Sequence, residues 1–280
     1  MPVLLALASA VVYGVGDWFG GRASRVQHSV IVAATGQMVS FVLVIAVTIG
    51  MGTASPGVST WWWMSFGGIV GAIGIASLYH GFAHGDVAVV APTSAVVGAG
   101  LPVVAALISG ERPSVLALCG IAVAISAVAL VSGALGGHRH HTPPRIVALA
   151  AGSGACFGLM FVAFDHADPN SGLWPLVIAR VASVPLLLGV ALVGRIRPIR
   201  HMASMRIAVL AGVFDMGANW LYMVAVRDGL LSVVAVVASL YPASTVTLAF
   251  VVDKERITRW QALGLVLAVF ALVLVTLSRS

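Results

Sequence analysis

The sequence predicts an all-α membrane protein of ten transmembrane helices arranged as two inverted five-helix repeats. Three observations carry that prediction. The chain is 60% hydrophobic and only 9% charged, with a mean hydropathy of +1.07, more apolar surface than a water-soluble domain can hide. Ten apolar runs each approach the roughly 20 residues that a helix needs to cross about 30 Å of hydrocarbon. An internal repeat pairs the first five runs with the last five, because Glu255-Arg256 follows Glu111-Arg112 by 255 − 111 = 144 residues. At that offset Gly264 falls on Gly120, Gly229 on Gly85, Thr258 on Ser114, Ser153 on Ser9 and Gly158 on Gly14.

The runs lie at residues 3–20, 29–50, 61–80, 87–109, 115–134, 146–164, 173–193, 207–226, 230–252 and 260–278, separated by charge, Pro or Gly clusters. The first, within MPVLLALASA, has no basic leader before it and reads as a span rather than a cleaved signal peptide. Trp61, Trp62, Trp63, Trp174 and Trp260 stand at span ends, where indoles settle at the membrane interface. Run four contains Pro92 and Pro102, whereas run nine contains Pro242. Proline in a spanning helix frees backbone groups that need partners in protein or a wet cavity, so these two helices should break at different depths. Cys119 and Cys156 lie inside apolar runs and behave as small hydrophobes. The most polar loop, Gly136 to Arg145, divides five spans from five. It sets a first repeat at 1–135, a linker at 136–145 and a second repeat at 146–280. An odd number of spans per half inserts the halves in opposite orientations, as in two-fold membrane transporters.

The formal charge of +6 comes from fifteen basic residues scattered between apolar runs. That distribution argues against nucleic acid as a partner and for basic loops beside a bilayer. Loops one, five, seven and nine carry Arg22, Arg25, Arg139, Arg145, Arg195, Arg197, Arg200, Arg206, Lys254, Arg256 and Arg259. The opposite side carries Arg112, Arg227 and Arg279, while Arg180 lies within a span. This count places the odd loops in the cytoplasm and both termini outside.

Two features resemble the EamA type of the drug/metabolite transporter (DMT) superfamily across essentially the whole chain. One is the Glu-Arg turn followed by a Gly-containing last helix in each half. The other is the opening string Tyr13-Gly-Val-Gly-Asp-Trp-Phe-Gly-Gly-Arg-Ala-Ser-Arg25. The resemblance implies a transporter of amino acids, nucleotides, sugar phosphates, drugs or other metabolites. It also implies a central cavity lined mainly by helices one, three, four, six, eight and nine, with helix seven peripheral. It implies cytoplasmic termini, opposite to the charge count. The resemblance favours export.

An ionisable group inside a bilayer is a functional candidate by default. Asp215 sits near the middle of run eight, with Asn219 and Tyr222 at i+4 and i+7 on the same face. This stripe reads either as a carboxylate that exchanges protons or binds an amine, or as an interhelical packing contact. Ser9, Tyr13 and Asp17 form a second stripe, in which Asp17 could face a cavity mouth or cap the helix end beside Arg22. Arg180 reads as a structural ion-pair partner for Asp215 or Asp165. Ser94, Ser239 and Tyr241 supply hydroxyls on helices four and nine, and His80 is a further cavity candidate. The sets His80, His84, Asp86 and His138, His140, His141 lack a metal motif's closing ligand and read as interfacial, so no metal and no cofactor are expected. Glu255 and Arg256 recur in both halves and should hold the repeat together, leaving the site where the copies differ, at the stripe of run eight and at Tyr241-Pro242.

The resulting expectation is a multi-pass secondary transporter in the cell membrane that moves a small organic metabolite, cationic or zwitterionic, with proton coupling through Asp215. No nucleotide-binding motif is present. The expected partners are that small-molecule substrate, the lipid bilayer and protons, and a homodimer is compatible with the sequence. A non-transporting membrane subunit or sensor is one alternative. Another is an intramembrane aspartyl protease, since Gly14-Val-Gly-Asp17 matches the G-x-G-D string of such enzymes and Asp215 could complete a dyad. Against it, the acid motifs run in the opposite chain order and a Pro-Ala-Leu motif is missing.

Overall fold

The structure, a computed structural model, describes residues 1–131, 142–199, 201–252 and 258–277, and every regular element among them is helical. The helices are α1 (Pro2–Ser24), α2 (Ser29–Met51), α3 (Val58–His84), α4 (Val87–Ile108), α5 (Val115–Val131), α6 (Pro144–Asp165), α7 (Trp174–Val193), α8 (Met202–Arg227), α9 (Leu231–Ala238), α10 (Tyr241–Val252) and α11 (Arg259–Leu277). A short 3-10 turn at Pro169–Ser171 precedes α7. Seven of them, α1 to α4 and α6 to α8, are long and apolar enough to cross a membrane. The apolar stretches in α5, α9 with α10, and α11 are shorter. The Glu255-Arg256 pair and the three linker histidines lie outside the described residues.

Run nine is not one helix. Pro242 has no N–H to give to the carbonyl of Ala238, so the ladder cannot continue through it. Leu240 N–H turns back instead to Val237 O at 3.2 Å, and Ala243 N–H to Leu240 O at 2.9 Å. Ser239 and Leu240 therefore separate α9 from α10. In α4 the two prolines sit inside a continuous helix, so the expectation of a break there is not met. The first span also runs further than its apolar stretch, to Ser24, which puts Asp17 two turns inside α1 rather than at its end.

Helix α1 lies against α8 and α6 against α3, while α2 meets α7 and α5 meets α11. At the 144-residue offset the hydrogen bonds exchange halves as well. Ser9 Oγ donates to Ala218 O at 2.8 Å, and Ser153 Oγ donates to Gly74 O at 2.8 Å. Between α2 and α7, at an offset of 143, Arg180 Nε donates to Ser40 Oγ at 2.9 Å and Ser183 Oγ donates to Gln37 Oε1 at 2.8 Å. Backbones touch at two further exchanged positions. A methyl group on Gly68 would collide with the Ala179 backbone, and one on Gly212 with the Gly36 backbone. Only glycine permits helices to cross this closely, as small residues do in membrane interfaces.

A carboxylate in the turn after α4 ties one half to the other. Glu111 accepts from Leu231 N–H at 2.7 Å, from Ser232 N–H at 3.2 Å and from Ser232 Oγ at 2.6 Å. It thereby satisfies two of the amide donors that open the short helix α9, where negative charge also meets the positive end of the helix dipole.

Candidate functional site

The cavity lies among the helices, and residues of the α9–α10 break line part of it. Its wall draws on α1, α2, α3, α4, α6, α7, α8 and the Ser239-to-Tyr241 segment. Its free volume is about 30 Å³.

Asp215 and Arg180 form its charged centre. One Arg180 guanidinium nitrogen donates to Asp215 Oδ2 at 2.7 Å, while Nε is held by Ser40 as described. The other carboxylate oxygen, Oδ1, accepts from Asn219 Nδ2 at 3.1 Å, and that amide also donates to Asp215 O at 2.7 Å. The amide oxygen of Asn219 accepts from Tyr13 Oη at 2.9 Å. A chain of hydrogen bonds thus runs from α2 through α7 and α8 to α1. A buried charge persists when it is paired and its remaining sites are hydrogen-bonded, and Asp215 meets both conditions. Arg180, placed by the resemblance on a peripheral helix, in fact lines the cavity.

Asp17 is in the same cavity, only 6% exposed, and lines its wall. Arg22, the partner weighed for it at a helix end, lies instead 5.5 Å over the Trp18 ring.

The hydroxyl candidates divide. Ser94, Ser239 and Tyr241 line the cavity. Ser239 Oγ returns to Ala235 O at 2.7 Å, and Tyr241 Oη donates to Ala91 O at 3.2 Å across to α4. Two candidates fall outside the lining. Tyr222 shares the face of Asp215, but seven residues at 1.5 Å each carry it about 10 Å along the axis. There it is fully buried and stacks on Phe161 at 4.2 Å. His80 stacks on His84 at 4.1 Å; at 100° per residue it points away from the cavity-lining Gly71 nine positions earlier.

Sequence reasoning missed the apolar wall. Phe157, Met160 and Phe161 on α6, with Gly71 and Ile75 on α3, complete the lining. The repeat register could have found them. Offset by 144, Phe157 and Phe161 are the counterparts of Tyr13 and Asp17, and Gly71 and Ile75 those of Asp215 and Asn219. Gln37, 143 residues before Arg180, completes a fifth pair. Ala95 and Ser239, also 144 residues apart, make a sixth; in the other five the more polar or charged member stands on α1, α7 or α8.

Three comparisons bear on this arrangement. No curated protein matches the chain. A solved structure described only as a crystal structure of a protein is similar over 99% of this chain and 96% of its own, with a TM-score of 0.77 at 16% identity, a likeness of fold alone. The sequence model of the EamA-like transporter family matches residues 1–133 and 144–277. A multi-span helical protein matched over that length is a member, and the chain belongs to the EamA-like transporter family.

Proposed function

We propose that the protein is a multi-pass secondary transporter of the cell membrane that exports a small organic metabolite, cationic or zwitterionic, by alternating access. The moving parts are two inverted five-helix repeats, residues 1–135 and 146–280, joined by the linker 136–145, and transport is coupled to protons through the cavity carboxylates. The observation that carries this reading is the exchange of hydrogen bonds around the cavity, Ser9 to Ala218 against Ser153 to Gly74, and Ser40 with Arg180 against Ser183 with Gln37. Two halves that hold each other by equivalent bonds are suited to rocking against each other about a central site. The two segments matched by the family model support the same division.

A cavity of about 30 Å³ is far below the roughly 300–1,000 Å³ of small-molecule pockets. The described conformation therefore corresponds to a contracted state, and binding must part the helices. A lining that combines charged and hydrogen-bonding groups with phenylalanines suits a solute with a polar head and an apolar body.

The test begins with thermal-shift screening of purified protein against metabolite classes, since a ligand that binds only the folded state raises its stability. Compounds that stabilise are then offered to reconstituted vesicles. Saturable flux that depends on a pH gradient supports the reading. Stabilising compounds that never cross would overturn it in favour of a non-transporting subunit, and peptide cleavage lost in Asp17→Ala would favour a protease.

A further inference from the structure

We propose that the cleft between α2, α7 and the first turn of α8 binds one anionic phospholipid, with an acyl chain along α2 and the phosphate on Arg195, Arg197 and Arg206. The cleft lies apart from the central cavity and needs only the membrane setting, so the inference stands or falls independently of the transport reading.

The cleft has the length of a lipid leaflet. It runs from Ile31 to Leu43 on one face of α2, bordered by Leu188 on α7, Pro198 in the α7–α8 turn and Met205 on α8. Its 43 − 31 = 12 residues of helix span about 18 Å at 1.5 Å each, and half of a hydrocarbon core is about 15 Å. The volume is about 530 Å³, within the roughly 300–1,000 Å³ of small-molecule sites. Thr35 carries the only hydroxyl of the lining, and Met38 and Leu43 are exposed along it. Such a wall fits hydrocarbon.

The end of the cleft at Ile31, Pro198 and Met205 is cationic. Arg197 precedes Pro198, Arg206 follows Met205, Arg195 lies just past the end of α7, and Arg25 stands in the turn before α2. All four are exposed, and neither residues 25–31 nor residues 194–206 include an acid. The other ends of α7 and α8 mix signs, with Asp165 and Asp168 ahead of α7 and Asp228 beside Arg227. A cationic rim over an apolar cleft complements a phosphate over an acyl chain.

The two halves differ at this place. Arg195 stands 143 residues after Gly52, and both have a left-handed backbone, with φ of 49° and 63°. Their cap bonds match as well, Arg195 N–H to Leu192 O at 3.1 Å and Gly52 N–H to Ile49 O at 3.2 Å. That conformation favours glycine, so the arginine is held there against the preference of its own backbone. The turn behind it is pinned by buried Gln27, which donates to Ile199 O at 2.5 Å and accepts from Ile199 N–H at 2.9 Å. At the same offset Trp174 corresponds to Ile31 and Ser55 to Pro198, and at 144 Trp61 corresponds to Met205. The indole of Trp174 donates to Thr53 O at 2.7 Å and that of Trp61 to Ser55 Oγ at 3.4 Å. Rings of this chain cover the position in the first half, whereas the second half leaves it to a chain from outside.

The test titrates the purified chain in detergent with dioleoylphosphatidylglycerol, dioleoylphosphatidylcholine or glycerol 3-phosphate. Native mass spectrometry counts retained lipid and thermal melting reads stabilisation. One phosphatidylglycerol per chain should be retained in preference to phosphatidylcholine and should raise the melting temperature; glycerol 3-phosphate should not displace it. Arg195→Gly, Arg197→Gln and Arg206→Gln should each weaken that binding about fivefold, while Arg112→Gln at the opposite end leaves it unchanged. Ile31→Trp with Met205→Trp, which copies the indoles of the first half, should abolish it. Phosphatidylglycerol with a diazirine in one acyl chain should label residues 31–43. Equal retention of the two lipids, a preference unchanged in the triple arginine variant, displacement by glycerol 3-phosphate, or label confined to other helices overturns the assignment, and so does a chain that is dimeric and retains no lipid, which would give the cleft to a second copy. Arg195→Gly keeps the result readable, because glycine suits the turn and its lipid-free melting temperature should equal or exceed that of the parent.

Discussion

Substituting Arg180 by Gln, the residue at its repeat counterpart Gln37, should destabilise the protein sharply, and the size of the effect follows from what is left behind. The guanidinium side chain is 4% exposed and the carboxylate of Asp215 18% exposed, toward the cavity. Removing one member of a buried ion pair costs about 3–5 kcal/mol. Partial hydration of Asp215 by the cavity puts the expected loss at the lower end, about 3 kcal/mol, or about a 150-fold fall in the folding equilibrium constant. Asp215→Asn should lose a similar amount, because Arg180 then keeps only Ser40. The double variant Arg180→Gln with Asp215→Asn removes both charges and should be no less stable than either single one, an interaction energy of about 3 kcal/mol in a double-mutant cycle. Equilibrium unfolding in mixed micelles measures all four proteins. Losses that add to within about 0.5 kcal/mol would refute the claim that the two charges are mutually dependent.

The remaining predictions are shorter. Gly68→Ala and Gly212→Ala should each destabilise by about 1–3 kcal/mol through overpacking, since their added methyls meet backbone. Gly100→Ala, with nothing within 4 Å of its added methyl, should be neutral or stabilising by up to about 1 kcal/mol; thermal melts compare all three. Glu111→Ala should cost about 1–2 kcal/mol by uncapping α9 and should raise amide exchange selectively over residues 231–238. Tyr13→Phe should cost about 0.5–1.5 kcal/mol, because its hydroxyl donates to Asn219 Oδ1, and micellar unfolding reads that loss.

Much of this organisation is written in the sequence because a few residue types cannot hide there. A Glu-Arg pair or a glycine at a fixed offset stands out against valine and alanine, so the repeat register was legible. Asp215, Asn219 and Tyr13 were legible for the same reason, being polar in apolar runs and spaced by a helical turn. The apolar half of the cavity was not. A phenylalanine among apolar residues carries no signal of its own, and Phe157 and Phe161 acquire meaning only as counterparts of Tyr13 and Asp17. Tyr222 was assigned to the cavity because periodicity gives direction around a helix but not depth along it. The committed partnership of Asp215 was also beyond the sequence, which offers Arg180 two acids, Asp165 and Asp215, and leaves the choice to packing.

The glycine crossings have a mechanical consequence. At Gly68 with Ala179, and again at Gly212 with Gly36, main chain meets main chain with no side chain between to change rotamer. Such a contact tolerates rotation of one helix over the other but not compression, so it serves as a bearing. Displacement about a bearing grows with distance from it. Under the proposed alternating access, a small tilt at these two points would be amplified into larger travel at the helix ends, with the crossings as pivots.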